Sequence, residues 1–337
     1  MSLKIKNISF IIGMVLLFFA LWGVSLFAEG ARGFTGLGEK VDISPNDETV
    51  VFSHYENGDA SLYIVPTTGG DAELLAEPEE GKSFIHPVFS PDGEKVVFIE
   101  QWDEEEQPFG ELRIIDVESR QIEELTNEGN HITEAAFSPN GDHLYFLQSS
   151  VYENYSPIAS ERPHGFDIFH MDIHTKEIEQ ITDKEFYSLS DLTVTPDGNE
   201  LMYHSFRDDD IIVFYSLENK IEKNSFPYGD DLEESIVSSP TLSADGKRVA
   251  FSGVADRDKN GTFVYEGFLM NMETREAEKV TSFREHVASL SFFNEKNHLL
   301  VTLDENFAAG YPDYHYWIVD LDNNNEKRFQ IQLPEDH

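Results

Sequence analysis

Short apolar runs alternate with polar turns along most of this chain, and one ten-residue version of the pattern recurs six times. Residues 89–98, FSPDGEKVVF, show it most clearly as an apolar residue, a Ser-Pro-Asp-Gly turn and an alternating strand. Proline presets φ at its turn position, and glycine takes the left-handed conformation that closes a hairpin. The pattern therefore predicts a β-hairpin at each copy. The other copies begin at residues 43, 137, 194, 242 and 292.

A second hairpin follows each copy. After 89–98, the runs ELRIIDV at 111–117 and IEELT at 122–126 read as two strands that flank a short polar turn. Each repeat thus supplies four antiparallel strands, the content of one propeller blade, and copies start 46 to 57 residues apart. The sequence predicts an all-β fold, a six-bladed β-propeller of four-stranded antiparallel blades over residues 40–333. The ring is expected to close by packing between blades rather than by a shared strand.

Two copies depart from the turn pattern. Asp47 and Lys296 stand where the other copies carry glycine. Because residues other than glycine adopt the left-handed conformation at a cost, the first and last turns are expected to be strained or differently shaped.

The repeat resembles a known family. Read together, FSPDGEKVVF, ELRIIDV and IEELT are similar to the TolB-type propeller repeat, which occurs in periplasmic TolB and in propeller domains of prolyl-oligopeptidase relatives. Five of the six turns match well, and the resemblance covers essentially all of the chain after its N-terminal segment. It implies the fold and says little about function, because propellers serve in binding, scaffolding and catalysis.

The N-terminal segment has a different character. Residues 8–28 form an uncharged apolar run that follows Lys4 and Lys6. Its length fits a spanning helix, while the small residues near its end would also suit a signal peptidase. We interpret residues 1–30 as a signal-anchor or a signal peptide and 31–39 as a linker. The lysines predict a single pass through the cytoplasmic membrane with the propeller outside, or secretion if the signal is cleaved.

Charge and composition limit the classes of partner and of chemical site that the chain can have. The chain carries 64 acidic against 24 basic residues, a net charge of −40, which argues against nucleic acid as a partner. It has no cysteine, which excludes disulfides, thiolate metal sites and cysteine nucleophiles. A solvated acidic surface explains most of this charge, although part of it could bind cations. The propeller is expected to be a monomer.

The strand order predicts where function lies. The Ser-Pro-Asp-Gly turns gather at one end of the ring, and the longer connections gather at the other, which we call the long-loop face. Its loops span residues 100–110, 148–165, 252–266 and 302–314. The aromatic residues of these loops could stack on a sugar or grip a peptide: Tyr152, Tyr155, Phe307, Tyr311 and Tyr314.

One position in each repeat should point into the central channel. It lies three residues before the apolar residue that opens each copy, and the six residues are Lys40, His86, Glu134, Asp191, Ser239 and Ser289. His131 and His286 lie shortly before two of them. His, Glu and Asp side chains around a channel mouth are the groups that a metal or acid–base site needs, although channel mouths are polar in any propeller.

One loop resembles a calcium site. Asp256, Asp258 and Asn260 precede Gly261 with the D-x-D-x-N-G spacing in which alternate oxygens converge on Ca²⁺. The bidentate Glu expected at the twelfth position is replaced by Gly267, with Glu266 one residue early. The loop is either a variant calcium site with Glu266 as a ligand or a solvated polar loop.

Motifs for catalysis are largely absent from the sequence. It contains no G-x-S-x-G elbow, no phosphate-binding glycine loop and no H-E-x-x-H. We therefore expect an extracytoplasmic scaffold that binds a protein, a peptide or an envelope polymer through the long-loop face. The alternative is a propeller enzyme at the channel mouth, of the metal-assisted glycan lyase or lactonase type.

Overall fold

The computed structural model describes residues 14, 15, 18, 33–104, 107–127, 130–154, 161–206, 210–233, 236–257, 261–307 and 310–334. Nearly all of this part of the chain is β-strand or the turns between strands. Apart from three residues, the apolar run at 8–28 lies outside the described residues. Among the described residues, no helix has the length and apolar character needed to cross a membrane.

The strands follow one another with short connections. Their bounds are β1 Gly36–Ile43, β2 Thr49–Glu56, β3 Asp59–Pro66, β4 Gly70–Asp71, β5 Glu73–Ala76, β6 Lys82–Phe89, β7 Lys95–Glu104, β8 Gln107–Asp116, β9 Ile122–Glu124, β10 His131–Phe137, β11 His143–Asn154, β12 Glu161–Asp172, β13 Ile178–Gln180, β14 Ser188–Val194, β15 Glu200–Phe206, β16 Asp210–Ser216, β17 Glu222–Ser225, β18 Val237–Leu242, β19 Arg248–Arg257, β20 Phe263–Asn271, β21 Ala277–Lys279, β22 His286–Phe292, β23 His298–Asp304, β24 Tyr314–Asp320, β25 Asn325–Arg328 and β26 Ile331–Gln332.

The all-β propeller arrangement is confirmed. Four separate antiparallel sheets of four strands have the orders β1-β2-β3-β5, β14-β15-β16-β17, β18-β19-β20-β21 and β22-β23-β24-β25. The prediction of six separate blades is not met in this form, because β6–β9 and β10–β13 are hydrogen bonded into one eight-stranded sheet.

The two halves of the eight-stranded sheet are joined by strand pairing at a single residue pair. His131 of β10 pairs in parallel with Gly110 of β8, and the Gly110 N–H donates to the Asn130 carbonyl at 2.8 Å. A Cβ at position 110 would lie 2.1 Å from the Ile132 carbonyl oxygen, so only glycine permits this approach. The merger therefore depends on one backbone contact that the repeat pattern does not encode.

The repeated turn has the expected geometry. In the copy at 89–98, the Gly93 N–H donates to the Ser90 carbonyl at 2.8 Å, and Gly93 has a φ of 74°. The Ser90 hydroxyl donates to Asp92 Oδ1 at 2.5 Å and accepts the Lys95 N–H at 2.9 Å. Serine and aspartate therefore tie the turn to the strand that follows it, which explains why they recur.

The first and last turns hold the ring together. Asp47 is buried and adopts a φ of 54°, a strained conformation for a residue other than glycine. Its carboxylate accepts the backbone N–H groups of Asn294, Glu295 and Lys296 at 2.7, 2.9 and 2.9 Å. The departure from glycine at position 47 therefore provides a hydrogen-bonded link between the two ends of the propeller.

Ring closure also uses the C-terminal segment. The first and last four-stranded sheets keep their own strands, as expected, but β26 pairs in parallel with β4 of the first repeat. Strand β1 begins at Gly36, inside the segment predicted as a linker, because it pairs with the end of β2. Apolar side chains fill the space between the two terminal sheets, among them Val41, Phe52, Leu300 and Tyr316.

Candidate functional site at the channel mouth

The innermost strand of every repeat carries a break in its pairing register at the position predicted to face the channel or directly before it. The breaks lie between Leu37 and Val41, Ile85 and Val88, Ile132 and Glu134, Ser190 and Thr193, Ser238 and Thr241, and Val287 and Ser289. A bulge interrupts the alternation of a strand and can redirect one side chain. Three of these positions also have positive φ: His86 (50°), Asp191 (59°) and Ser239 (47°).

Five of the six predicted channel residues line one cavity. It has a volume of about 140 Å³, and the five residues are Lys40, His86, Glu134, Asp191 and Ser239. The sixth residue, Ser289, donates instead to the Glu39 carbonyl at 2.8 Å. His131 and His286 do not line this cavity. His86, Asp191 and Ser239, the three residues with positive φ, all line the cavity. Backbone strain that the surrounding structure holds in place is often found at functional positions.

An ion pair crosses the channel. The Lys40 ammonium, on the inner strand of the first repeat, donates to Asp191 Oδ1 on the inner strand of the fourth. Asp191 Oδ2 also accepts the Ser190 hydroxyl at 2.7 Å, and its side chain is only 6% exposed. Although burial opposes ionisation, the Lys40 charge holds the pKa of Asp191 below its usual range. We call this pair the crossbar.

The other cavity residues have altered protonation. Burial, together with the nearby Asp191 charge, raises the pKa of Glu134 to about 7. Burial lowers the pKa of His86 to about 4, so the imidazole is neutral at pH 7. His86 Nδ1 lies 2.7 Å from the Thr133 carbonyl oxygen, which can only accept, so we assign the proton to Nδ1. This leaves the Nε2 lone pair without a hydrogen-bond donor among the described residues.

Glu134 provides a pH test of this site. Its folded pKa of about 7 exceeds the ordinary value of 4.5, so its contribution to stability is full below pH 4.5 and is lost as the pH rises through 7. We expect Glu134→Gln to raise the free energy of unfolding by about 1–3 kcal/mol at pH 8 and by almost nothing at pH 4.5. Urea denaturation at both pH values measures the difference. An equal effect at the two values would contradict the assignment.

The predicted ligands do not form a compact metal site. His86, Glu134 and Asp191 share a cavity, but they do not bring three ligand atoms within 4.8 Å of one another. In the described part of the chain, only Glu305, Asp313 and His315 do so. Arg328, which can only donate, lies 2.6 Å from His315 Nδ1, so Nε2 carries the proton and faces Asp313 at 3.3 Å. This set forms an ion-pair cluster that needs no metal.

The two further histidines belong to aromatic clusters on the long-loop face. His131 stacks between Phe109 and Tyr152, with ring centroids 4.8 and 6.4 Å away, and Phe109 stacks on Trp102 at 5.8 Å. We call these four rings the aromatic ladder. His286 stacks on Phe307 with centroids 3.7 Å apart. Of the predicted loop aromatics, Tyr152 and Phe307 thus pack with histidines, and Tyr155 lies outside the described residues.

The calcium loop is described only in part, since Asp258 and Asn260 lie outside the described residues. Asp256 approaches Arg284 at 3.5 Å. The buried Glu266 carboxylate accepts the Thr281 hydroxyl at 2.5 Å and the Arg284 N–H at 2.7 Å. In this arrangement Glu266 holds the connection to the next repeat, and calcium binding stays a prediction.

Two more cavities open along the channel, and sequence reasoning missed both as sites. One, of about 300 Å³, lies at the long-loop end and is lined by Phe34, Glu39, Tyr55, Tyr311 and Tyr314 among others. The other, of about 500 Å³, lies at the turn end among residues that flank the repeated motif. The turn end is therefore less closed than its short loops predict. The first cavity is also lined by Lys40 and His86, which were predicted as channel residues, and Tyr311 and Tyr314 gave a further sequence signal as loop aromatics.

Comparison with known proteins agrees with this architecture. No protein-family profile matches the chain. In sequence, it is 29% identical over 136 residues to a Bacillus subtilis protein described as the uncharacterized peptidase YuxL, a match that covers 31% of this chain and 20% of that protein. The aligned part thus spans about a fifth of that relative, so we infer no activity of this chain from the match.

Solved structures show the fold more fully. TolB from Acinetobacter baumannii matches with a TM-score of 0.58 and 20% identity, over 86% of this chain and 62% of TolB. An oligogalacturonate lyase in complex with manganese matches with a TM-score of 0.59 and 12% identity, over 87% and 77%. A chain of the nidogen/laminin complex matches with a TM-score of 0.57 and 10% identity, over 80% and 90%. The chain is therefore a TolB-like β-propeller, and identities this low show the fold alone.

Proposed function

We propose that this protein is a binding scaffold that recognises a protein, peptide or envelope polymer through the long-loop face. In this proposal the eight-stranded sheet acts as two blades, which gives a six-bladed ring. The propeller lies outside the cytoplasm, tethered to the membrane by residues 8–28 or secreted after their removal.

The observation that carries the proposal is the concentration of half-buried aromatic and polar groups at the long-loop end of the channel. The aromatic ladder follows the loops of the second and third repeats, and Lys82 lies 5.6 Å from the Trp102 ring. Such amphipathic ring surfaces are typical of binding sites for proteins and sugars. The fold likeness to a chain of the nidogen/laminin complex is consistent with a protein partner.

The enzyme alternative has less support. A metal-assisted lyase or lactonase would need His86, Glu134 and Asp191 to hold an ion together, but their ligand atoms do not meet within 4.8 Å. The Lys40 ammonium already pairs with Asp191. The likeness to the manganese-bound lyase is one of fold, so we do not adopt its chemistry for this protein.

Capture of a partner from envelope extract tests the scaffold role. Removing residues 148–165 would break the β11–β12 pairing and the 2.7 Å hydrogen bond from Ser149 to the His164 carbonyl. We therefore prefer the double substitution Trp102→Ala and Tyr152→Ala, which removes rings and leaves the backbone intact. We expect recovery of the partner to fall by about tenfold or more, as the loss of central aromatic contacts does in other interfaces.

The matched control lies at the other end of the ring. Ile221 is 64% exposed in the turn between β16 and β17, so Ile221→Ala removes an exposed apolar side chain away from the proposed face. It should leave recovery unchanged. Equal recovery by the double variant and the wild type, or loss with Ile221→Ala, would show that the long-loop face is not the binding surface.

A further inference from the structure

The cavity at the long-loop end of the channel is walled by aromatic rings. The Phe34 ring lies 5.1 Å from Tyr55, 6.2 Å from Tyr311 and 6.5 Å from Tyr314, measured between centroids. Phe34 meets Tyr314 edge-on, at an interplanar angle of 83°. We call these four rings the aromatic cage. They border a space of about 300 Å³, which is large enough for a small organic group.

The walls of the cage are held in place. The Gly58 N–H donates to the Phe34 carbonyl at 2.9 Å, and the Asn57 N–H donates to the Thr35 hydroxyl at 3.0 Å. On the other side, the Asn306 amide donates to the Tyr311 carbonyl at 2.7 Å. Phe34 therefore acts as a fixed wall of the cavity rather than as a loose segment that occupies it.

One carboxylate in this cavity forms no close ion pair among the described residues, although Lys40 also lines the cavity. Glu39 accepts a hydrogen bond from the Tyr314 hydroxyl at 3.2 Å, and no Lys, Arg or His of the described chain lies within ion-pair distance of it. Lys40 is next in sequence, but its ammonium is engaged by Asp191 in the crossbar. Burial raises the pKa of Glu39, and the nearby Lys40 charge offsets this shift only in part.

This combination points to one class of ligand. Ring faces carry negative electrostatic potential and attract organic cations, and a nearby carboxylate adds direct attraction. A single carboxylate among rings offers too few oxygen ligands for a divalent metal. We infer that the aromatic cage and Glu39 form a binding site for an organic monocation, an ammonium or guanidinium group carried by the ligand of the long-loop face.

The inference rests on the proposed function, yet the two can fail separately. Choline serves as the probe for the cage, and 3,3-dimethylbutan-1-ol serves as its uncharged analogue of almost equal shape. Titration of the purified full-length chain, followed by ligand-observed NMR, measures both affinities. We expect choline to bind about tenfold more tightly than the alcohol, as cation–π attraction in a partly desolvated cage requires.

Variants locate the site. Tyr311 is 61% exposed, so Tyr311→Ala should fold normally and weaken choline binding by about tenfold, while Tyr311→Phe should keep most of the affinity. Glu39→Gln should weaken it by about fivefold or more, and Tyr228→Ala, an exposed tyrosine away from the cage, should have no effect.

Other results would overturn the inference. Absent choline binding, equal affinity for the alcohol, or full affinity in Tyr311→Ala would each do so. If choline fails while the double variant of the aromatic ladder still loses its partner, the cation site is wrong and the scaffold role stands. If choline binds at the cage but envelope extract yields no partner lost with that double variant, the scaffold role is wrong.

Discussion

Replacing Asp47 by glycine is expected to destabilise the propeller, although glycine is the residue that most other copies of the turn carry. The substitution relieves a left-handed backbone conformation, a gain of about 1 kcal/mol. It also leaves three backbone N–H groups, of Asn294, Glu295 and Lys296, without their acceptor. Charge-assisted hydrogen bonds contribute about 1.5–3 kcal/mol each, so the loss of three outweighs this gain and we expect a net loss of at least about 3 kcal/mol.

Urea denaturation of Asp47→Gly and wild type measures this loss. Asp47→Asn is the matched control, because asparagine tolerates the same φ and keeps one acceptor oxygen, so its loss should be smaller. The reverse exchange at an ordinary turn, Gly198→Asp, should cost only about 1 kcal/mol for the left-handed backbone, because a Cβ there meets its neighbours at ordinary distances. If Asp47→Gly is as stable as the wild type, the Asp47 link contributes nothing, and closure depends on apolar packing and on the β26–β4 pairing.

Position 47 shows how far the sequence could lead. The repeat predicted the strands and most of the turns because these depend on residues close together in the chain. It marked Asp47 as unusual but could not supply the reason, since the partners of its carboxylate begin 247 residues away. The merger of two repeats into one sheet likewise depends on a backbone contact at Gly110 that strand patterns do not register.

Part of the candidate site could likewise be predicted from the sequence, and part of it could not. Alignment of the repeats identified the inward-facing positions, because a propeller places equivalent residues around one axis. It could not predict that Lys40 pairs with Asp191, 151 residues away. Which long side chains can reach each other across the channel depends on the diameter of the folded ring. The aromatic cage was missed for a similar reason. Its walls come from the chain before the first strand, the end of β2 and a loop of the last repeat.

Removing the cation of the crossbar is the second substitution with a large expected effect. Lys40→Met leaves Asp191 as a buried carboxylate, 6% exposed, beside Glu134 and without a counter-charge. Breaking one side of a buried ion pair costs about 3 kcal/mol or more, because the remaining charge stays desolvated. We expect this loss at pH 7 and a midpoint of urea unfolding well below that of the wild type.

The stability deficit of Lys40→Met should change with pH in a defined direction. In the wild type, the depressed pKa of Asp191 adds stability above its unfolded pKa, and this contribution is lost as the pH falls through the lower folded value. Without Lys40, burial should raise the folded pKa of Asp191 above the unfolded one, so the variant loses stability as the pH rises. The deficit relative to wild type should therefore be larger at pH 8 than at pH 4.

A second substitution separates the pair from the packing of Lys40. Asparagine accepts the φ of 59° at position 191, so Lys40→Met with Asp191→Asn removes both charges while keeping the backbone. Because no unpaired charge remains, the double variant should recover most of the lost stability. Lys247→Met is the surface control, since its pairing with Asp245 at 3.7 Å is exposed and should matter by less than about 0.5 kcal/mol. If the double variant is no more stable than Lys40→Met, Lys40 stabilises the fold through its aliphatic contacts. The charge of the crossbar would then contribute nothing to stability.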